Sequence, residues 1–152
     1  MGRIFARAGK LPVLASSAMG LAAIFAIVLF LFLPYVPRGA LGLAYRFVGD
    51  LREGRIGEAY ELTDKGADVG KDVRAFAGNE DVVFLSSSRH PVTLEWAKPE
   101  RSRARRILEF LRGTRSEPAV LYVNFDVGLP FLVRLRRARG LWVVSYFEVH
   151  AE

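Results

Sequence analysis

The chain has 152 residues, a formal net charge of +6, no cysteine and two histidines. That length fits one ordinary domain plus a short appendage, and a composition 51% apolar and 25% charged is that of a folded chain. The missing cysteines exclude disulfides, thiol nucleophiles, cysteine-based zinc sites and lipidated cysteine anchors, and two histidines are too few for a histidine-rich metal site.

Residues 1–12 form a basic tail with Arg3, Arg7 and Lys10 and no acid. No charged side chain then occurs until Arg38, and Val13 to Leu33 is an apolar stretch of 21 residues. As a helix it would reach roughly 31 Å, which matches a hydrocarbon core of about 30 Å. A helix also satisfies its own backbone hydrogen bonds, as lipid requires. Pro12 suits the start, Pro34 and Pro37 suit an abrupt exit, and Tyr35 stands where an interfacial aromatic belongs. The sequence thus predicts a single transmembrane helix over 13–33 and a short linker over 34–40. The alternatives are a cleaved signal peptide, with small residues Ala40 and Ala44 as cleavage positions, and a buried core helix. The basic flank places the N-terminus in the cytoplasm and the rest of the chain outside it, on the periplasmic side in a bacterium.

Residues 41–150 are expected to form one α+β domain, helices first and strands after. Leu41, Ala44, Tyr45 and Val48 repeat at helical spacing, with Gly54 as the stop. Ile56, Ala59, Tyr60 and Thr63 mark a second helix ending near Gly66. Asp68 is a candidate cap for a third, carrying Val69, Val73 and Phe76. Ser86 to Ser88 reads as a loop. Val92 to Ala97 reads as a short strand. Arg101 to Arg112 suits either a strand or a helix, and Gly113 to Pro118 a turn. Ala119, Leu121, Val123, Phe125 and Val127 alternate with Tyr122, Asn124 and Asp126, as on a half-buried strand. Phe131 to Leu135 repeats that pattern, and Arg139-Gly140 turns the chain. The last strand, Leu141 to Val149, puts Leu141, Val143, Ser145, Phe147 and Val149 on one face, with Trp142, Val144 and Tyr146 on the other. Consecutive strands with tight turns predict an antiparallel meander packed on one face by helices. Apolar residues on both faces suggest that the last strand is central or doubly covered.

Gly49-Asp50, followed by Ile56-Gly57-Glu58-Ala59-Tyr60-Glu61-Leu62, and the closing Arg139-Gly140-Leu141-Trp142-Val143-Val144 resemble the nuclear-transport-factor-2-like superfamily. This is the ketosteroid-isomerase-like or cystatin-like α+β roll. The anchored arrangement is also similar to bitopic core components of type IV secretion systems and to single-span assembly factors of cytochrome oxidase. The resemblance implies a curved sheet around a helix, leaving a cone with an apolar mouth. Such a cone binds a ligand, supports catalysis or is filled by side chains, and fold alone does not choose.

No nucleophile elbow, phosphate-binding loop, metalloprotease motif or dinucleotide fingerprint occurs. His90 and His150 lack spaced partners, and no metal or cofactor is expected. Candidates for a polar group in the cone are Tyr45, Tyr60, Tyr122, Asp126 and Trp142, with Asp64 as a further acid. Packing accounts for Tyr45 and Tyr60, so an enzyme is not the expectation. Charge is more informative. Asp50 to Asp81 holds nine acids against five bases, net −4, whereas Lys98 to Arg115 holds seven bases against two acids, net +5. Arg101, Arg103, Arg105, Arg134, Arg136 and Arg137 are therefore the candidate docking residues on an Arg-rich sheet. The occupants considered are an acidic protein surface, anionic lipid and plain solvent. No nucleic acid is expected of an extracytoplasmic domain. Reversing Arg134 and Arg136 to Glu is expected to leave the fold intact, and Trp142→Ala to cost ~3–5 kcal/mol if Trp142 is core. The function expected is that of a non-enzymatic, single-pass accessory or assembly protein within a membrane complex. The alternative is an isomerase-like or ligand-binding domain using the cone.

Overall fold

The structure, a computed structural model, describes residues 19–28, 36–100, 105, 108–109, 111–113 and 118–150. The chain divides into two units, residues 1–33 and 34–152. In the first, residues 19–28 are helical (α1) and expose Met19, Leu21, Ile24 and Phe25. Among the described residues no helix is long and apolar enough to cross a membrane. Residues 13–18 and 29–33 of the expected span lie outside them.

The second unit is α+β. Its helices are α2 (Arg38–Arg52), α3 (Ile56–Glu61), α4 (Val73–Ala77) and α5 (Glu80–Ser87). Its strands are β1 (Thr93–Pro99), β2 (Val120–Asp126), β3 (Pro130–Ala138) and β4 (Leu141–Val149), one antiparallel sheet in the order β1-β2-β3-β4.

Helix α2 forms because Ala40, Ala44, Phe47, Val48 and Leu51 recur every three or four residues and all are fully buried. It begins three residues before the expected Leu41. Its buried stripe is turned from the expected one, since Tyr45 remains 43% exposed. Burying Phe47 alone contributes about 1.5–3 kcal/mol. Gly54, at φ 73, stops the helix where a side chain would be strained. The Gly54 N–H donates to the Leu51 carbonyl at 3.2 Å.

The third helix starts later than expected. Asp72, not Asp68, is its cap, and the Asp72 carboxylate accepts the Ala75 N–H at 2.8 Å. The Asp68 region forms a turn instead, with the Gly70 N–H donating to the Gly66 carbonyl. Helix α5 takes up part of what reads as a serine loop. Asn79 caps it by accepting the Asp81 N–H at 2.8 Å. Ser86 and Ser87 are helical and donate back to the Val83 and Phe84 carbonyls. Ser88 ends the helix and fastens it to the sheet by donating to the Val127 carbonyl at 3.1 Å. In the ambiguous stretch from Arg101 to Arg112, the described residues 105, 108, 109 and 111 are helical, so the strand alternative is incorrect there.

The period of two in β2 and β3 sends Leu121, Val123, Phe125, Phe131, Val133 and Leu135 to one buried face. Register follows that pattern: Val123 faces Val133, and Val133 faces Phe147. On β4 the alternation breaks. Arg134 faces Tyr146 while Leu135 faces Val144, so Ser145 is an extra residue in the ladder. The bulge corrects the expected faces of this strand. Phe147 shares the inner side with Val144 and Trp142, and Leu141 is 72% exposed.

Strand β4 is also an edge rather than a central strand. Three backbone groups on its free edge are nevertheless engaged. The Val144 N–H donates to the Leu62 carbonyl, the Asp64 N–H donates to the Val144 carbonyl, and the Val149 N–H donates to the Asp81 carboxylate. Covering an edge in this way removes a template for unwanted strand pairing.

Helices α2 and α5 pack on the inner face, with α3 and α4 extending the layer. Phe147 lies at the junction, with ring centroids 5.5 Å from Phe47, 5.6 Å from Phe76 and 6.2 Å from Phe131. Tyr60 joins through Phe76 at 5.4 Å.

Candidate partner-binding face

The side of the sheet opposite the helices is defined by residues in register. One row across the strands is Lys98, Tyr122, Arg134 and Tyr146, and the next is Trp96, Asn124, Leu132 and Glu148. Aromatic and basic groups adjoin along the first row. The Arg134 guanidinium lies 5.9 Å from the Tyr122 ring centroid, within cation–π range. Among the described residues, Arg134 Nε is buried without a hydrogen-bond partner. Such a donor is costly to leave unpaired, which marks Arg134 as the polar centre of the face.

The second row carries the opposite sign. The Asn124 amide donates to the Glu95 carboxylate. The Tyr146 hydroxyl donates to the Glu148 carboxylate at 2.6 Å. That bond, with burial and nearby negative charge, pushes the Tyr146 phenol up to about 12. Trp96, 44% exposed, flanks this row. The face is therefore a basic and aromatic strip beside an acidic one, rather than a uniform arginine field.

The six candidate arginines do not converge. Arg101 and Arg103 lie outside the described residues. Arg105 is an exposed helical residue 3.7 Å from the Glu109 carboxylate. Arg134 and Arg136 share the outer face, but Arg136 reaches Asp64 at 2.7 Å, and that carboxylate is only 9% exposed. Reversing Arg136 to Glu would set a second acid against Asp64, so the expectation of an intact fold needs revision for that position. Arg137 donates from Nε to the Gly140 carbonyl at 3.2 Å, at the β3–β4 turn.

The five cone candidates separate as well. Tyr45, Tyr60 and Trp142 lie on the helix side. Tyr45 meets Phe125 edge-on at 5.1 Å. Tyr60 is buried and donates to the Gly70 carbonyl at 3.3 Å. Trp142 is half-buried against the core. A half-buried indole makes ~3–5 kcal/mol an overestimate for Trp142→Ala. Tyr122 and Asp126 belong to the outer face, and the exposed Asp126 accepts the Gly128 N–H at 2.8 Å. His90 packs on Gly128 in an open cleft of about 620 Å³ beside the end of α5. His150 is 3.9 Å from Glu148.

Two polar clusters were not singled out from sequence. Asp50, 2% exposed, sits at the end of α2. Arg55 Nε donates to its carboxylate at 2.9 Å, and Arg46 is 3.8 Å away. Arg55 also pairs with Glu53 and Glu58. The pair closes the turn between α2 and α3, a structural duty for the Gly49-Asp50 motif. The second cluster joins Asp81, Tyr146, Glu148 and His150. Burial pushes the Asp81 carboxyl up, and the Glu148 charge adds to the effect, against the Val149 N–H.

No family model, curated protein or solved structure matches the chain. The likeness to the nuclear-transport-factor-2-like roll accordingly rests on its own short motifs and the order of its elements.

Proposed function

We propose that this protein is a non-enzymatic, single-pass membrane accessory or assembly subunit. In this reading, residues 13–33 anchor it, the N-terminus is cytoplasmic, and the extracytoplasmic domain is a nuclear-transport-factor-2-like roll that docks a partner within a membrane complex. The supporting observation is the row Lys98, Tyr122, Arg134 and Tyr146 on the side of the sheet away from the helices. Aromatic and arginine side chains are the types that anchor protein interfaces. The Arg134 guanidinium against the Tyr122 ring, with Lys98 in the same row, favours an acidic partner surface.

The cavity alternative draws less support. Phe47, Phe76, Phe125, Phe131 and Phe147, each at most 3% exposed, occupy the side on which a cone would open. A ligand site needs free volume with convergent polar groups. Tyr122 and Asp126, which would supply them, belong to the other face.

The test uses the tagged full chain, extracted in mild detergent, with Lys98→Glu and Arg134→Gln combined. Capture of the associated membrane protein is expected to fall roughly tenfold while thermal stability is kept. Undiminished capture would remove this face from the proposal.

A further inference from the structure

The β3–β4 turn carries an apolar tip with basic shoulders. Its two turn residues, Arg139 and Gly140, have φ 51 and 86, the left-handed pair that a two-residue hairpin requires. Just beyond them, Leu141 is 72% exposed. Leu141, Trp142 and Val143 form one wall of an open groove of about 480 Å³. Gly39 and Leu43 of α2 form the other. Arg38 and Arg139 are exposed next to it, and Arg137 folds back to the turn. The acid lining the groove, Glu61, is neutralised by Lys65 at 2.8 Å. An exposed leucine and a half-buried tryptophan with arginines around them suit the boundary between lipid headgroups and acyl chains.

The chain supplies the second reason. Val36 packs on the domain core, and α2 starts two residues later. Pro34 and Tyr35 alone separate Val36 from Leu33, the last residue of the apolar stretch. Three residue steps reach at most ~11 Å. The domain therefore stays within that reach of any bilayer that holds residues 13–33.

We infer that the hairpin tip, Arg139 to Trp142, is a membrane-interface contact that seats the domain on anionic lipid. This rests on the single-pass reading of residues 13–33. The tip dips Leu141 and the Trp142 ring below the headgroups, and Arg38 and Arg139 engage lipid phosphate. The opposite end of the sheet then points away from the membrane. Leu132, in the row of Trp96, is seven positions along β3 from Arg139, ~23 Å at ~3.3 Å per residue.

The two tryptophans report the two ends separately. The full chain carrying Trp96→Phe keeps Trp142 as its fluorophore, and the full chain carrying Trp142→Phe keeps Trp96. Each is reconstituted in vesicles of equal phosphatidylcholine and phosphatidylglycerol, with and without bromine on the acyl chains. Trp142 is expected to lose most of its emission to the brominated lipid, and Trp96 to lose none. Leu141→Asp should abolish the loss at Trp142. Equal brightness of Trp142 in both vesicles, equal quenching of Trp96, or quenching that survives Leu141→Asp would each overturn the contact. Flotation after an alkaline wash reads the anchor independently. A chain that resists the wash with an unquenched Trp142 keeps the anchor and loses the hairpin contact. A chain that washes off yet shows quenching at neutral pH keeps the contact and loses the anchor.

Discussion

The two faces of the sheet obey the same alternation and solve opposite problems. The inner face is closed by side chains alone. Phe125, Phe131, Val133 and Phe147 meet Phe47 and Phe76 from the helices, and the buried Asp50 sits at the end of α2. The outer face stays half-buried and carries polar pairs, Arg136 with Asp64 and Tyr146 with Glu148, beside Lys98 and Arg134. Packing makes the inner face intolerant of change, because a close-packed interior relaxes only partly around a void. The outer face is more tolerant where its groups are exposed, because exposed ion pairs contribute little to stability, and the Arg136–Asp64 pair, with its carboxylate 9% exposed, is the exception. The molecule's stability is thus set on one side of the sheet, and its recognition chemistry is available on the other.

The largest effect should come from the inner face. Phe147→Ala removes the ring shared by Phe47, Phe76 and Phe131 and should cost ~3–5 kcal/mol in chemical denaturation. A cost near that of a surface substitution would dissolve the distinction between the faces.

The Asp50–Arg55 pair sharpens it, because a charge can also be buried on the helix side. Removing Arg55 leaves a buried carboxylate with only the exposed Arg46 at 3.8 Å. Arg55→Ala should therefore cost about 3 kcal/mol, toward the low end for a broken buried pair. Asp50→Asn leaves the half-exposed Arg55 with Glu53 and Glu58, and should cost only about 1 kcal/mol. Equal costs, measured by thermal melts of the two variants, would mean that burial of Asp50 is not what matters.

The smallest effect is in pH dependence at the β4 edge. Burial raises the Asp81 carboxyl above its ordinary 3.8. The folded state then holds that proton more tightly than the unfolded one. The contribution of Asp81 is fully present below its unfolded pKa and is lost as pH rises through the higher folded value. Asp81→Asn should flatten the stability–pH curve just above pH 3.8, and an unchanged slope there would show that the site does not titrate with folding. Tyr146 behaves alike at high pH, its contribution vanishing as pH climbs from 10 to about 12.

What could be read from the sequence follows the physics of each element. Strands β2 and β3 were legible because every second residue from Leu121 to Phe125 and from Phe131 to Leu135 is a buried apolar one. The faces of β4 were not, because the extra residue at Ser145 changes parity without changing composition. Its edge position was hidden too, since backbone groups on its free edge are taken up by Leu62, Asp64 and Asp81, remote in sequence. Helix α5 buries only Val82 and Leu85, too few to set a helical period, although Asn79 before Glu80 and Asp81 was a usable start signal. For the candidate face, the sequence supplied Arg134, whereas Tyr122 was read as a cone residue, because its contact with Arg134 depends on register across two strands. Arg136 and Asp64 are far apart along the chain and opposite in sign, and only the fold joins them.

The measurement closest to the central claim is gentle detergent extraction of the tagged full chain, followed by sizing and mass spectrometry, alongside the variant with Lys98→Glu and Arg134→Gln. One reproducible membrane partner is expected with the native chain, and its loss from the variant at an unchanged melting temperature. A lone chain in both preparations, or equal partner recovery in both, would contradict it.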